Sequence, residues 1–386
     1  MLHDCLWNEE FPQDGDICYL NHAAVAPWPR RSADAVIAFA RENIHQGARD
    51  YPRWIQLEHR LRGQFQTLLN APGKGDIALV KNTSEALSFV AMGLSWTAGD
   101  EVLLSDQEFP SNRIPWQALE PRGVRVRQVS LDAPDPEAAL IAAMGPATRL
   151  LSISSVQYAS GLRMDLQRLG QACRERGILF CVDAIQSLGA LPVDVRAIDC
   201  DFLMADGHKW LLGPEGLGVF YCRREVRDRL ALHQFGWHMV EAMGDYDRED
   251  WTPASTARRF EPGSPNTLAQ HALSASLELL LEVGAERIQQ ALQQRTAYLI
   301  QSIGALPGAR LLSPLVPERR AGIVTFRFEG VDNAWLHDQL MQAGVICAAR
   351  GGGVRWSPHF YTPQAVLDKA LAVLRSTLQT GYNPPR

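Results

Sequence analysis

The chain has 386 residues, 46% of them hydrophobic, with 38 basic and 43 acidic side chains and a net charge of −5. That balance excludes wholesale disorder and leaves no basic patch for a nucleic acid. No apolar run approaches the length of a membrane span, and the acidic, mixed start MLHDCLWNEEFPQDGD does not read as a signal peptide.

In chain order, SADAVIAFARENI and WIQLEHRLRGQFQTLL predict two early helices, expected to pack against a partner chain or a second domain. A strand–helix alternation begins near Asp76. DIALV, EVLLS, VRVRQV, RLLSISS, ILFCVD, DFLMA and GLGVFYC read as strands. SEALSFVAMGL, NRIPWQAL, PEAALIAAM and DLQRLGQACRERG read as helices, the last with a glycine stop. Continuous apolar strands separated by helices imply a mostly parallel sheet covered on both faces. Residues 233–262 are irregular and rich in Trp, Asp, Pro and Gly; residues 233–253, with Trp237, His238 and Trp251, could line a substrate pocket or form dimer packing. Two long helices follow, LAQHALSASLELLLEVG and AERIQQALQQRTAYLIQSI. The tail alternates AGIVTFRFEG, NAWLHDQLMQAG, VICAA, GVRWS and PQAVLDKALAVLRSTL. The expected division is a large α/β domain over residues 16–283 and a smaller α+β domain over 284–386 that includes 1–15.

Seven cysteines, an odd number with no CxxC pair, sit mostly in apolar surroundings. They read as reduced core thiols of a cytoplasmic protein. Ten histidines include no HExxH or comparable ligand spacing, so no metal site is expected. No GxGxxG follows an early strand.

Ligands of such sheets bind at the C-terminal strand ends. After DIALV, Asn82, Thr83 and Ser84 open a helix with Glu85 behind them. They read either as an ordinary N-cap or as a phosphate cradle. After EVLLS comes Phe109, core packing or a surface for stacking a flat ring. After ILFCV comes Asp183, a helix N-cap or the partner of a protonated ring nitrogen. After DFLMA comes Lys209, a snorkelling side chain or a nucleophilic amine.

Taken together, these groups form the inventory for pyridoxal 5′-phosphate (PLP). The segment VDAIQSLGALPVDVRAIDCDFLMADGHKWLLGPEGLGVFYC, with YLNHAAVAPWP, NTSEAL, EFPSN, SSVQYASG, RFEPGSPN and GVRWSPHFYT, resembles the class-V aminotransferase family over almost the whole chain. Cysteine desulfurases, selenocysteine lyases and isopenicillin N epimerase belong to that family. The resemblance implies the aspartate aminotransferase-like fold of PLP-dependent transferases.

It implies that Lys209 forms a Schiff base with the cofactor and shuttles the Cα proton. Asp183 would hold the ring nitrogen, Gln186 the ring hydroxyl and Phe109 the ring face, where many relatives have histidine. Thr83, Ser84 and His208 would surround the phosphate. Ser264 would reach the phosphate of a neighbouring subunit, which implies a homodimer with shared active sites. Arg355 would clamp the substrate carboxylate, and His22 is placed beside the substrate. Relatives often carry serine where this chain has Asp206; an acidic residue is repulsive beside a phosphate, so Asp206 is left out of that site.

Desulfurases of the family take sulfur on a cysteine in the loop before the arginine strand. Here that loop is only Gly351 to Gly353, and Cys347 lies on the preceding strand. The expected activity is therefore a transaminase or a Cβ lyase on an α-amino acid without a loop cysteine. The alternatives are an epimerase and a PLP-binding regulator without turnover.

Overall fold

The computed structural model describes Trp7 and residues 9–380, so Cys5 lies outside the described residues. A short strand β1 (Cys18–Tyr19) precedes two long helices, Arg30–Gln46 and Tyr51–Leu69. Seven strands then build the main sheet: β2 (Ile77–Val80), β3 (Glu101–Ser105), β4 (Arg125–Val129), β5 (Thr148–Ser154), β6 (Leu179–Asp183), β7 (Phe202–Asp206) and β8 (Gly218–Cys222). Their order is β2-β8-β7-β6-β5-β3-β4. Only β8 runs against its neighbours β2 and β7.

The reason these strands read as continuous apolar runs is visible in the packing. Leu151, Ile153, Phe180, Val182, Leu203 and Ala205 enter one core, whereas Leu150, Leu179, Cys181, Phe202 and Met204 enter another. Alternate side chains face opposite sides of a pleated sheet, and both sides are covered. The fold class expected from the sequence is thus observed.

The C-terminal part forms a four-stranded antiparallel sheet, β12 (Ala348–Arg350), β13 (Gly353–Trp356), β10 (Val324–Phe328) and β9 (Ala309–Leu311), in that spatial order. Strand β11 (Val345–Ile346) pairs in parallel with β1. A third core gathers Leu299, Phe326, Leu336, Trp356 and Leu371 around these elements, and Cys18 and Leu20 join it.

The two early helices pack on the helix Thr267–Val283 of their own chain: Ser32 Oγ donates to the Ala272 carbonyl at 2.9 Å and Gln64 Nε2 to that of Ser274 at 2.8 Å. Two local expectations are corrected. NRIPWQAL yields only a four-residue helix, Ile114–Gln117, behind a 3-10 turn over Pro110–Asn112; Pro115 sits in the first turn, and its ring bars the helix from extending further toward the N-terminus. No α-helix follows Asp183: residues 185–187 make a turn, Leu188 bridges to Leu191, and Asp183 Oδ1 accepts the Ile185 amide at 3.0 Å.

Candidate active site

The parallel strands β2, β3, β5, β6 and β7 bring their C-terminal ends to one edge of the sheet, which places the segments after them side by side. After β2, Asn82 caps the helix Thr83–Gly93 by accepting the Glu85 amide at 2.9 Å, while a Glu85 carboxylate oxygen accepts the Lys81 amide at 2.7 Å. Asn82 is therefore the ordinary cap. Ser84 Oγ donates to Ser111 Oγ at 3.0 Å. Thr83 is buried and its hydroxyl has no partner. A buried hydroxyl without a partner is costly, so this one awaits a ligand atom.

After β7 comes the turn carrying His208 and Lys209. Backbone bonds fix it: the Gly207 amide donates to Leu217 O at 2.9 Å, the Gly213 amide to Gly207 O at 2.8 Å, and the Ala26 amide to His208 O at 2.7 Å. Gly189, in the loop after β6, lets that loop lie against it; a Cβ at this positive-φ position would stand 2.3 Å from the Trp210 carbonyl oxygen. Lys209 is only 8% exposed and has no carboxylate within 4 Å among the described residues. Its Nζ stands 5.6 Å from the centroid of the Phe109 ring. Burial pulls its amine below the usual lysine range, against the attraction of Asp183 and Asp206.

Asp183 is buried, and the loss of hydration holds its carboxyl above the usual range despite the Ile185 amide. A cationic N–H beside it would supply the missing counter-charge. His208, brought down to about 4 by burial and by Lys209, is neutral near pH 7, and its Nδ1 has no partner. Gln186 is oriented by two bonds: Nε2 donates to Ala23 O at 3.0 Å and Oε1 accepts Trp210 Nε1 at 2.8 Å. One N–H of the amide remains for a ligand.

Phe109 is 38% exposed, its ring edge-on to Tyr158 at 5.1 Å, so one face is open beside Lys209. Its loop is held by a residue the sequence reading did not single out. Glu108 is buried and accepts Ser105 Oγ at 2.6 Å, Asn112 Nδ2 at 2.7 Å, Gln157 Nε2 at 3.1 Å and both the amide and hydroxyl of Ser154. The signal for it was an acidic residue three positions past the end of an apolar strand, next to the candidate ring platform.

Arg355 enters from β13. It is 2% exposed; Nη1 donates to Tyr158 O at 2.7 Å, Nε has no partner, and no carboxylate lies within 4 Å among the described residues. Burial lowers it to about 10. A buried guanidinium without a counter-ion is suited to an incoming carboxylate.

Two sequence candidates stand apart from this group. His22 is fully buried with both ring nitrogens engaged, Nδ1 with Ser357 O at 2.8 Å and Nε2 with the Tyr361 hydroxyl at 2.7 Å, which leaves neither for a substrate. Ser264 lies exposed in the loop before the helix at Thr267 and hydrogen-bonds to none of the site residues.

Of the irregular segment, Trp237 and Trp251 line a cleft of about 440 Å³, whereas His238 turns inward between Glu58 and Glu261. Those three residues bring possible metal-ligand atoms within 4.8 Å of one another. Arg62 already occupies the position: it bonds Glu58 at 2.5 Å and Glu261 at 2.5 and 2.7 Å. A guanidinium neutralises these carboxylates where a cation would have to sit.

The loop before Arg355 is a two-residue hairpin. Arg350 pairs with Gly353, and Gly351 and Gly352 have φ of +61° and +76°, the signature of a type I′ turn. Cys347 is buried and its thiol is pushed up to about 12. The other described cysteines are also free and buried.

The family model for class-V aminotransferases matches residues 18–368. The chain belongs to the class-V aminotransferase family. This family member is 31% identical over 378 residues to a probable cysteine desulfurase of Methanothermobacter thermautotrophicus, covering 91% of this chain and 92% of that one. It is 30% identical over 377 residues to isopenicillin N epimerase of Streptomyces clavuligerus, covering 92% and 94%. Among solved structures it resembles a C-DES variant with glycine covalently linked to its PLP cofactor (TM-score 0.89, 25% identity, 95% and 98% of the two chains). It also resembles the complex of the cystine C-S lyase C-DES with its product cysteine persulfide (TM-score 0.88, 26% identity, 94% and 98%). In this class-V aminotransferase family member the Thr83 hydroxyl, His208 Nδ1 and Arg355 Nε have no hydrogen-bond partner, and Asp183 and Lys209 are buried.

Proposed function

We propose that this PLP-dependent enzyme is a Cβ lyase: it cleaves a bond between Cβ and a sulfur or selenium atom of an α-amino acid without passing that atom to a cysteine of its own. The single observation that carries the reading is the hairpin at Gly351–Gly352, which leaves no loop thiol beside Arg355. The similarity to a cystine C-S lyase supports it.

PLP, when bound, supplies an electron sink for charge developing at the substrate Cα. Arg355 binds the substrate carboxylate and fixes which Cα bond faces Lys209. Lys209, whose amine burial brings down to about 8, takes the Cα proton in its unprotonated form. Asp183 would pair with the ring nitrogen, Gln186 would donate to the ring hydroxyl, and Phe109 would cover a ring face. Thr83 and Ser84, at the positive end of their helix, and His208, in the turn after β7, would hold the phosphate. The enzyme works as a homodimer in which the exposed Ser264 completes the partner's phosphate site. No described helix is long and apolar enough to cross a membrane, consistent with a cytoplasmic location.

A second reading, epimerisation, is favoured by the 30% identity to isopenicillin N epimerase. One experiment separates them. The PLP-loaded protein is given cysteine, cystine, selenocysteine and unsubstituted amino acids, and products are followed with the visible spectrum. Release of sulfide, persulfide or selenide together with pyruvate and ammonia supports the lyase. Only the opposite enantiomer would mean epimerisation, and lasting conversion to the pyridoxamine form, reversed by a keto acid, would mean transamination. A protein with no cofactor absorption after PLP addition overturns the reading altogether.

A further inference from the structure

Asp206 ends β7 with its side chain 10% exposed, against the helix start that carries Thr83. Its Oδ1 has no hydrogen-bond partner, and neither has the Thr83 hydroxyl nor His208 Nδ1, which lies 3.7 Å from Asp206 Oδ2. Three buried polar atoms without partners thus meet at one helix N-terminus. They surround the place where the phosphate of the proposed cofactor is held, and one of them belongs to a carboxyl group. β8 backs it closely: a Cβ at Gly218 would stand 3.1 Å from Oδ1, so Asp206 has little room to swing away.

An ionised carboxylate here would repel a phosphate, as the sequence suggests. A protonated one does the opposite, because its O–H donates a hydrogen bond as the hydroxyl of a serine would. We propose that Asp206 keeps a proton in the PLP-loaded enzyme and donates a hydrogen bond through it to the cofactor phosphate, so that cofactor retention depends on pH. The inference rests on the PLP reading above.

The charges around Asp206 decide its state. Burial raises its carboxyl to about 7 before any anion arrives, against the pull of the Thr83 amide and the Lys209 ammonium, with Glu215 pushing it further up. Asp183, across from it on β6, is a second like charge. His208 is neutral in this range and adds none. A phosphate dianion competes for the Thr83 amide and adds repulsion, so both of its effects favour the neutral acid. The sign follows by linkage. A group whose pKa rises on binding strengthens binding fully below its free value and progressively less as pH climbs toward its bound value. PLP affinity should therefore fall above about pH 7, by up to about tenfold per pH unit for one proton.

The test compares the holoenzyme with Asp206→Asn, which keeps the shape and an N–H donor but cannot ionise. PLP dissociation constants are measured from pH 6.5 to 9.5, together with the phosphorus NMR signal of the bound phosphate. Lys209 titrates in both proteins, so the difference between their profiles reads Asp206. The expected result is a steeper alkaline loss of affinity in the wild type, a flatter profile in Asp206→Asn, and at least about tenfold weaker binding at pH 7 in Asp206→Ala. Identical profiles for the wild type and Asp206→Asn, or weaker binding by Asp206→Asn at every pH, overturn the proposal. If Asp206→Ala does not fold, the Asn comparison alone decides. Failure of the wild type to take up PLP at any pH would instead overturn the enzyme reading.

Discussion

Arg355 donates from Nη1 to the Tyr158 carbonyl at 2.7 Å, and the Tyr158 ring stands edge-on to Phe109 at 5.1 Å. The cation from β13 and the ring platform after β3 are thereby held through one residue of the loop after β5. The small sheet is thus registered on the large one where the reaction is proposed.

Arg355→Ala should reduce kcat/KM for amino acids by about 100-fold, ~3 kcal/mol, the usual loss for a buried charge-assisted bond. The effect should fall mainly on KM, with PLP affinity little changed. Steady-state kinetics beside a PLP titration checks this, and a loss confined to PLP affinity would remove Arg355 from the substrate site.

Lys209→Ala should abolish turnover and the visible absorption of lysine-bound cofactor while leaving the far-ultraviolet circular dichroism unchanged. Asp183→Asn should retain the fold but lower kcat by about 100-fold or more, because the ring nitrogen loses its counter-charge. Wild-type kinetics in either variant would refute the role assigned to that residue.

Cys347 should be inert in the folded enzyme. Its thiol is pushed to about 12 by burial, so the thiolate is scarce at neutral pH. Cys347→Ser should keep the lyase rate within about twofold, and mass spectrometry should find no persulfide on the wild-type chain after turnover. A persulfide on Cys347 would restore the sulfur-relay mechanism.

The hairpin offers a stability test. Gly351 has φ of +61°, and a Cβ there would stand 2.8 Å from Ala159 Cβ; Gly352 has φ of +76° with nothing within 4 Å. Gly351→Ala should therefore cost more than Gly352→Ala, the latter about 1 kcal/mol from backbone strain alone and the former about 2–3. Thermal and denaturant unfolding measure both, and an equal cost would mean that Ala159 yields without penalty.

The pattern of apolar runs determined the covered parallel sheet, because burial on both faces writes itself into every residue of a strand. The strand-end residues Thr83, Phe109, Asp183 and Lys209 were legible for the same reason: the segment that follows a buried run must sit at the edge of the sheet. What only the tertiary structure decided is which polar atoms are already satisfied. Asn82 is used as a cap and Ser84 is shared with Ser111, which leaves the Thr83 hydroxyl free. His22 is claimed by Ser357 and Tyr361, more than three hundred positions away. Asp206, excluded on charge alone, lies among the partnerless atoms. Hydrophobic periodicity is a local property that a stretch of chain carries by itself, whereas the partner of a hydrogen bond and the hydration of a charge depend on segments that meet only when the chain folds.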